Sequence, residues 1–306
     1  MTGFLARRLA LALPVVWVVV SLVFGLIHFV PGDPVAQMLG DGAAVREVAR
    51  VRHELGLDRP IAQQYAAYIT GLLRGDLGIS IRNQAPVWEV IRASYPATVE
   101  LTVAALLFSL ITAIPMGAIG ALRRNSLSDR MIGVVSLAGI AIPNFALGPL
   151  LILAFSIGLG LLPVSGRAGA MSVILPAITL GGGLAAMTTR MTRASLIEEL
   201  SRDYVRTARA KGLSETAAVF RHAFRNGLVP LITTLGLQTG SLLAGAVVTE
   251  TIFAWPGVGR LTVQAINARD YPLAQGCILV IALSYIAVNL VTDALYALAD
   301  PRIRHD

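Results

Sequence analysis

Four histidines, one cysteine, one lysine and a few polar side chains inside apolar runs are the residues whose chemistry stands out in this 306-residue chain. His28, His53, His222 and His305 fall in four separate regions, none within a helical turn of another, so no imidazole pair is set to hold a metal. Cys277 is the single cysteine and lies in an apolar run, which excludes a disulfide framework. No HExxH, CxxC or GxSxG pattern occurs. A phosphate-cradling loop needs Gly-Lys-Ser/Thr, and the only lysine, Lys211, precedes Gly212 and Leu213. The chain therefore reads as non-catalytic, with no metal and no cofactor of its own.

The remaining polar pattern lies inside hydrophobic segments. Thr234, Gln238 and Ser241 fall at i, i+4, i+7 and make one hydrophilic stripe on a helix, while Gly236 and Gly240 form a GxxxG pair on another face. Asn144 follows Pro143 in the middle of a third apolar run, and Asn289 lies in the last. A fourth run carries Thr179, Gly181, Gly182, Gly183, Thr188 and Thr189. Two readings stand for these residues. They are helix-packing contacts with isolated hydrogen bonds, or Thr234, Gln238, Ser241, Asn144 and Asn289 line a weakly polar pathway with Gly236 and Gly240 packing helices. Glu100, Glu250 and Asp293 fall near run ends, and no carboxylate occupies a run centre. That counts against an ion-driven carrier, whose coupling ion needs a site near the midplane.

Composition says what holds these residues. Hydrophobic residues make up 55% and charged residues 14%, with mean hydropathy +0.71. A soluble domain carries roughly 25% charge. The chain is read as an all-α integral membrane protein. Apolar runs long enough to cross ~30 Å of hydrocarbon fall at residues 9–30, 97–122, 131–159, 173–191, 228–249 and 273–298, giving six transmembrane helices. The first run is too long for a signal-peptide core and has no small-residue cleavage site, so it is read as retained. The net charge of +7 reads as topology and not as a nucleic-acid surface. Arg7 and Arg8, Arg123, Arg124 and Arg130, the basic stretch 187–226, and Arg302 and Arg304 fall on one side, which places both termini in the cytoplasm.

Residues 31–96 form a long extracytoplasmic segment in which seven basic residues balance seven acidic ones. Asp58 is expected to cap a helix with Pro60 in its first turn and Ile61, Tyr65, Tyr68 and Leu72 along one face. A shorter helix before it ends at Gly56, Gly75-Asp76-Leu77-Gly78 makes a turn, and Pro86 opens a third helix. This segment is a cap on the membrane surface or a docking surface for an external partner.

The cytoplasmic stretch 192–227 is too long for a turn. Leu196, Leu200 and Tyr204 extend the fourth helix, and Tyr204, Ala208 and Lys211 share a face. Gly212 ends the run, and Ser214 caps a second short helix. By composition the stretch is a positive-inside loop or a docking element.

The run from Tyr204 through Val-Arg-Thr-Ala-Arg-Ala-Lys to Gly212-Leu213-Ser214, with Phe220-Arg-His-Ala-Phe-Arg-Asn226 and Pro230, resembles the cytoplasmic loop of bacterial ABC-importer permeases of the dipeptide/oligopeptide/nickel branch. Further motifs extend the resemblance from residue 31 to 302. They are Pro31-Gly-Asp-Pro34, Leu55-Gly-Leu-Asp-Arg-Pro60, Gly71 to Gly78, Pro96-Ala-Thr98, Leu161-Leu-Pro-Val-Ser-Gly166, Glu250 to Arg260, Arg269-Asp-Tyr-Pro272 and Asp300-Pro-Arg302. The general permease loop begins Glu-Ala-Ala six residues before its glycine, where this chain has Arg206, Thr207 and Ala208, and its later proline falls at Arg225. Arg206 is therefore not given that glutamate's role.

The resemblance implies a MetI-like permease core: residues 1–30 the N-terminal end and first helix, 31–96 external, 97–299 the five-helix core, 300–306 a cytoplasmic tail. It implies an ATPase-coupling loop of Tyr204, Arg206, Ala208, Arg209, Ala210, Lys211, Gly212, Leu213 and Ser214. It also implies a bacterial inner-membrane location and a set of partners: a second homologous permease, two P-loop ATPases that bind ATP and Mg, and an extracytoplasmic solute-binding protein. The expected cargo is a di- or oligopeptide, with nickel chelates, glutathione or haem-like ligands as alternatives. A stand-alone channel or ion-driven carrier is the rival from another class.

Overall fold

In hydrocarbon every backbone amide must be satisfied within its own segment, so the apolar runs fold as helices. The structure, a computed structural model, describes residues 2–29, 35, 44–54, 56–214, 217 and 224–299. Helix α1 (Thr2–Phe29) leads to α2 (Val45–Glu54), α3 (Ile61–Leu73) and the long α4 (Val87–Leu122). Next come α5 (Leu127–Ala141), α6 (Asn144–Leu151) with a π-helical turn (Ile152–Gly158), and a 3₁₀ turn (Ala170–Val173) entering α7 (Ile174–Leu200). A short α8 (Asp203–Ala210) precedes α9 (Phe224–Ile252), α10 (Val258–Asn267) and α11 (Tyr271–Ala299). Among the described residues there is no strand, only an isolated bridge between Ile79 and Pro86.

Among the described residues three helices are long and apolar enough to cross a membrane: α4, α7 with its 3₁₀ turn, and α11. The pair α5–α6 makes a fourth when counted as one segment bent by 110°. Helix α1 contributes a shorter apolar stretch, Ala10–Gly25. The motifs at 31–34 and 300–302, together with His222 and His305, lie outside the described residues, as do the side chains of His28, Thr234 and Ser241.

Close approaches at glycine fix the directions. A Cβ on Gly181 would stand 2.5 Å from the Ala105 carbonyl, and one on Gly117 2.5 Å from Thr192, so α4 and α7 run parallel. Helix α5 runs back along α7, from Asp129 beside Arg193 to Gly139 beside Ala186. Ser195 meets Gly227 and Gln238 meets Met187, so α9 is antiparallel to α7. In α9, a Cβ on Gly236 would fall 1.8 Å from Thr292 and one on Gly240 2.6 Å from Tyr285, so α11 runs back along it. Helix α1 is antiparallel to α11, with Arg8 on Asp293 at 2.6 Å and Gln275 donating to the Val23 carbonyl at 2.8 Å. The chain thus traverses the bundle in alternating directions, and the start of α1, the end of α11 and α8 share one end.

In α3, α4 and the third apolar run the structure adds to or departs from the sequence reading. Helix α4 begins at Val87 and passes through Pro96 without a break, where a separate short helix was expected. A proline removes one hydrogen bond, and burial of Val87 and Ile91 against α10 and α11 outweighs it. Pro60 itself occupies the N-cap of α3 with no side-chain bond, because the Asp58 carboxylate is taken by His53 Nδ1 at 2.7 Å. Pro143-Asn144 turns the third apolar run sharply, since the residue before proline is held extended: Ile142 has φ −84°, ψ 115°.

Gly56 and Gly75 end α2 and α3 as expected, both with positive φ. At Gly75 the closing bonds run from Asp76 N to the Gly71 carbonyl and from Gly75 N to the Leu72 carbonyl, the paired pattern of a left-handed helix stop. Tyr65, Tyr68 and Leu72 then cover α1, with Tyr65 Oη 2.7 Å from Ser21 Oγ and Phe24 edge-on to the Tyr65 ring at 5.2 Å.

The packing predicts that Gly236→Val lowers thermal stability in detergent by about 1–3 kcal/mol through overpacking. Thr292→Ala in the same chain should recover part of the loss, because it removes the methyl that the new side chain strikes. No recovery would mean that α9 and α11 do not meet there.

Candidate functional site

Helix α8 is a short amphipathic element at the end of the bundle shared with the chain's N-terminus. Val205 is fully buried against Ala118 and Ala121 of α4 and Leu196 of α7, with Tyr204 packed on the same cluster, and Ala208 is nearly buried too. Arg206, Thr207, Arg209, Ala210 and Lys211 are exposed. Asp203 in the first turn and Arg209 in the last complement the helix dipole. Tyr204 Oη donates to Glu199, and Arg202 pairs with Glu198 at 2.9 Å and Glu199 at 3.1 Å, tying α8 to the end of α7.

The sequence reading ran α7 straight on through Tyr204, but the helix stops at Leu200. Arg202 is extended (φ −75°, ψ 151°) and opens a new helix. Tyr204, Ala208 and Lys211 were expected on one face; the structure turns Ala208 inward, half-buries Tyr204 and leaves Lys211 outside.

Gly212 has φ +86°. Its amide donates to the Arg209 carbonyl at 2.9 Å and the Leu213 amide to Ala208 at 3.3 Å, the same left-handed stop as at Gly75. A Cβ there would meet nothing within 4 Å, so the glycine answers to backbone conformation and not to crowding. Ser214 Oγ accepts from the Ala217 amide at 3.3 Å, as an N-cap does.

At the same end an ion pair between half-buried Arg193 and buried Asp129 joins α7 to α5. Arg193 donates to both Asp129 oxygens, at 2.6 and 2.7 Å, and the Asn125 amide adds a third bond at 2.9 Å. Gly120 leaves room for the pair, since its Cβ would lie 3.2 Å from Arg193. Planar two-point contact of this kind fixes geometry as well as charge.

At the opposite end the motifs scattered along the sequence converge. Glu250, at the end of α9, is fully buried. Thr98 Oγ1 of α4 donates to its Oε1 at 2.6 Å, and the Arg260 amide to its Oε2 at 2.9 Å. The Gly259 amide bonds the same carboxylate. Thr98 Oγ1 in turn accepts from the Val258 amide at 2.8 Å, and Trp255 Nε1 donates to the Ala97 carbonyl at 2.7 Å. A Cβ on Gly257 would fall 2.1 Å from Glu250 Oε1, and one on Gly259 2.6 Å from the Val247 backbone. Both positions must be glycine for the loop to wrap the acid.

Gly166 joins by donating to the Phe253 carbonyl at 2.8 Å, and Arg167, bonded to Glu100 at 2.8 Å, lies over the Trp255 ring at 6.0 Å. Asp270, also buried, accepts from Ser80 Oγ at 2.5 Å and the Arg82 amide at 3.1 Å, which moors residues 80–82 to the start of α11. From sequence, Glu250 is an acid near a run end and the first residue of the motif reaching Arg260, with no role assigned to it. The signal that could have found its role was the Gly-x-Gly spacing following it.

The pathway candidates are dispersed. Gln238 reaches Met187 Sδ at 2.9 Å between α7 and α9. Asn289 faces Gly240 from α11, its Oδ1 3.3 Å from where a Cβ would be. Asn144 begins α6 at the bend. Gln238 and Asn289 therefore lie on different sides of α9. Among the described residues no three His, Cys, Asp or Glu side chains gather as a metal site would require.

Comparison with known proteins agrees with this architecture. The profile of the binding-protein-dependent transport system inner membrane component matches residues 113–305, and its N-terminal companion matches residues 1–102. The chain is 46% identical to the di/tripeptide transport system permease protein DppB of Pseudomonas aeruginosa, covering 100% of this chain and 99% of the relative. It is 42% identical to the dipeptide transport system permease protein DppB of Escherichia coli K12, at 100% and 99% coverage. It is likewise 42% identical to that strain's glutathione transport system permease protein GsiC, at 100% of both chains. A chain of the MetNI methionine ABC transporter, solved in an inward-facing form, superposes with TM-score 0.61 at 15% identity. That match covers 70% of this chain and 97% of the other.

The buried acid predicts a sharp contrast at Thr98. Thr98→Val leaves Glu250 and the Val258 amide short of a partner and should cost about 3 kcal/mol of stability, read by thermal unfolding in detergent. Thr98→Ser keeps the hydroxyl and should cost about 1 kcal/mol, the scale of one buried methyl. Equal losses would mean that packing, not the hydrogen bond, is what Thr98 supplies.

Proposed function

Because the chain belongs to the family of binding-protein-dependent transport system inner membrane components, we propose that it forms half of the translocation pathway of an ATP-driven peptide importer. It is a multi-pass protein of the bacterial inner membrane. In this reading the six traverses α1, α4, α5–α6, α7, α9 and α11 are six spans. The α8 end is cytoplasmic, and residues 31–86 and α10 face outside. The basic residues Arg202, Arg206, Arg209 and Lys211 at the α8 end support that sidedness.

The observation that carries the proposal is the build of α8. Val205, with Tyr204 beside it, presses the helix onto the ends of α4 and α7, while its outer face presents Arg206, Thr207, Arg209, Ala210 and Lys211. A knob so attached passes force to the spans and needs a soluble partner to receive it from. That partner is a pair of P-loop ATPases binding ATP and Mg. A second, homologous permease completes the pathway, and an extracytoplasmic solute-binding protein delivers cargo. The chain itself is non-catalytic: ATP closure moves α8, α4 and α7 move with it, and the pathway exchanges outside for inside access. The relatives' names support a di- or tripeptide cargo, with glutathione, nickel chelates and haem-like ligands as the alternatives within the family.

Gly212 supplies the test. Gly212→Val forces a β-branched residue into left-handed backbone at about 1–2 kcal/mol, which should re-aim the residues after α8. Uptake into reconstituted vesicles should fall about tenfold, the equivalent of that energy, while ATP hydrolysis continues and membrane insertion is unchanged. Gly212→Asn, which tolerates the same backbone, should retain coupling. Unchanged uptake by the valine variant would overturn the role of α8.

A further inference from the structure

A cleft of about 430 Å³ opens at the end of the bundle away from α8, between the turn at residues 80–85 and α10. Arg82 and Asn83 line it from the turn, and Gln264 and Asn267 line it from α10. All four are exposed, and their side chains make no hydrogen bond or ion pair among the described residues. The turn that carries two of them is fixed. Ser80 N donates to the Ala85 carbonyl and Gln84 N to the Ser80 carbonyl, both at 2.9 Å, and Asn83 N donates to Ser80 Oγ at 3.1 Å. Asp270 then pins the turn through Ser80 Oγ and the Arg82 amide. The backbone of Arg82 is therefore held while its guanidinium stays free. A site ordered in advance loses little freedom when a ligand arrives.

The chemistry of the free groups narrows the ligand. Each carboxamide offers donors and an acceptor, the complement of a peptide backbone, and a guanidinium favours the two oxygens of a carboxylate. The cleft therefore suits a carboxylate joined to peptide backbone. A free peptide has one, but it also brings an ammonium. The one acid in the lining, Asp270, is 1% exposed. Its oxygens are committed to Ser80 Oγ, the Arg82 amide and the Leu273 amide. An ammonium in the cleft would find no acid and would be repelled by Arg82. An aspartate or glutamate side chain on a protein loop has no such charge to place.

We infer that this cleft docks an acidic loop of the extracytoplasmic solute-binding protein, its carboxylate on Arg82 and the adjoining backbone on Asn83, Gln264 and Asn267. The inference rests on the importer reading and the sidedness proposed above. The turn is moored to the start of α11 through Asp270, and α10 follows the loop that wraps Glu250 of α9. A protein seated in the cleft thus bears on elements joined to both helices. Complementary charge at such a contact sets which partner docks more than how tightly it is held.

Photocrosslinking in the native membrane, with a photoreactive residue at position 267 of the full chain, tests it. The crosslinked segment, identified by mass spectrometry, should belong to a solute-binding protein and contain an aspartate or glutamate. Arg82→Gln, which removes no contact within the fold, should lower the yield about tenfold, the equivalent of one hydrogen bond to a charged group. Arg82→Glu should abolish the crosslink, and exchange of the partner's acid for lysine should restore it in that variant. Ala268→Trp, which narrows the cleft, should also lower the yield. Crosslinking to lipid, to a neighbouring membrane subunit, to the cargo peptide or to nothing would overturn the site, as would a yield that Arg82→Gln leaves unchanged. Co-purification of P-loop ATPases from the same membranes reads the importer assignment. Labelling of Asn83→Cys by an impermeant maleimide, from inside or outside, reads the sidedness. A failed crosslink is therefore distinguishable from a failed importer or a failed topology.

Discussion

A carboxylate shut away from water must be met by donors, and Glu250 imposes that condition on one whole end of the bundle. Its oxygens are satisfied by Thr98 of α4 and by amides of the loop entering α10. Removing a single partner from such a group is costly, because the remaining charge has nowhere to go. Much of the local sequence follows from this. Gly257 and Gly259 are small because the acid fills the space a side chain would need, and Trp255 is sealed beneath the loop with its indole N–H on α4. Helices α4, α9 and α10 are thereby joined at one point and cannot slide past one another there without exposing or orphaning the acid.

The other end is held by different physics. Val205 and Tyr204 attach α8 through apolar contact, and Asp129 with Arg193 joins α5 to α7 at the same end. Helix α4 connects the two ends, carrying Ala118 under α8 and Thr98 on Glu250. The twenty residues between them span about 30 Å, the thickness of the hydrocarbon core. Between the ends the packing relies on absent side chains. Gly117 and Gly181 let the backbones of α4 and α7 approach, and Gly236 and Gly240 make room on α9 for the Thr292 and Tyr285 side chains of α11. In lipid, where apolar burial gives helices no reason to associate, such close contact is what holds them. The result is a stiff frame with a docking knob at one end and a clamped loop at the other.

Local features were legible in the sequence and long-range ones were not. Gly56, Gly75 and Gly212 announced helix stops because only glycine takes left-handed backbone without strain, and the Gly236/Gly240 spacing announced a close approach. Pro96 misled, because its effect on one hydrogen bond was visible and the burial of Val87 and Ile91 was not. Asp58 looked like a cap until His53, five residues earlier in the chain, claimed it. The break at Ser201 carries neither glycine nor proline, so nothing local separated α8 from α7, and exposed Lys211 was grouped with the inward-turned Tyr204 and Ala208. Glu250 was the largest omission: its side-chain donor lies 152 residues away and its other donors are backbone amides, which no residue type advertises. The stripe of Thr234, Gln238 and Ser241 is a spacing, and spacing alone does not say what Gln238 faces, which is Met187.

The account stands or falls on α8 having a partner. Gentle-detergent purification of this chain from its native membrane, with identification of what accompanies it, is the direct measurement. Recovery of a second permease together with P-loop ATPases, lost when Arg209 and Lys211 are both replaced by glutamate, is the predicted result. A chain that purifies alone, stable and folded, would contradict it, and its exposed basic helix would then have nothing to receive.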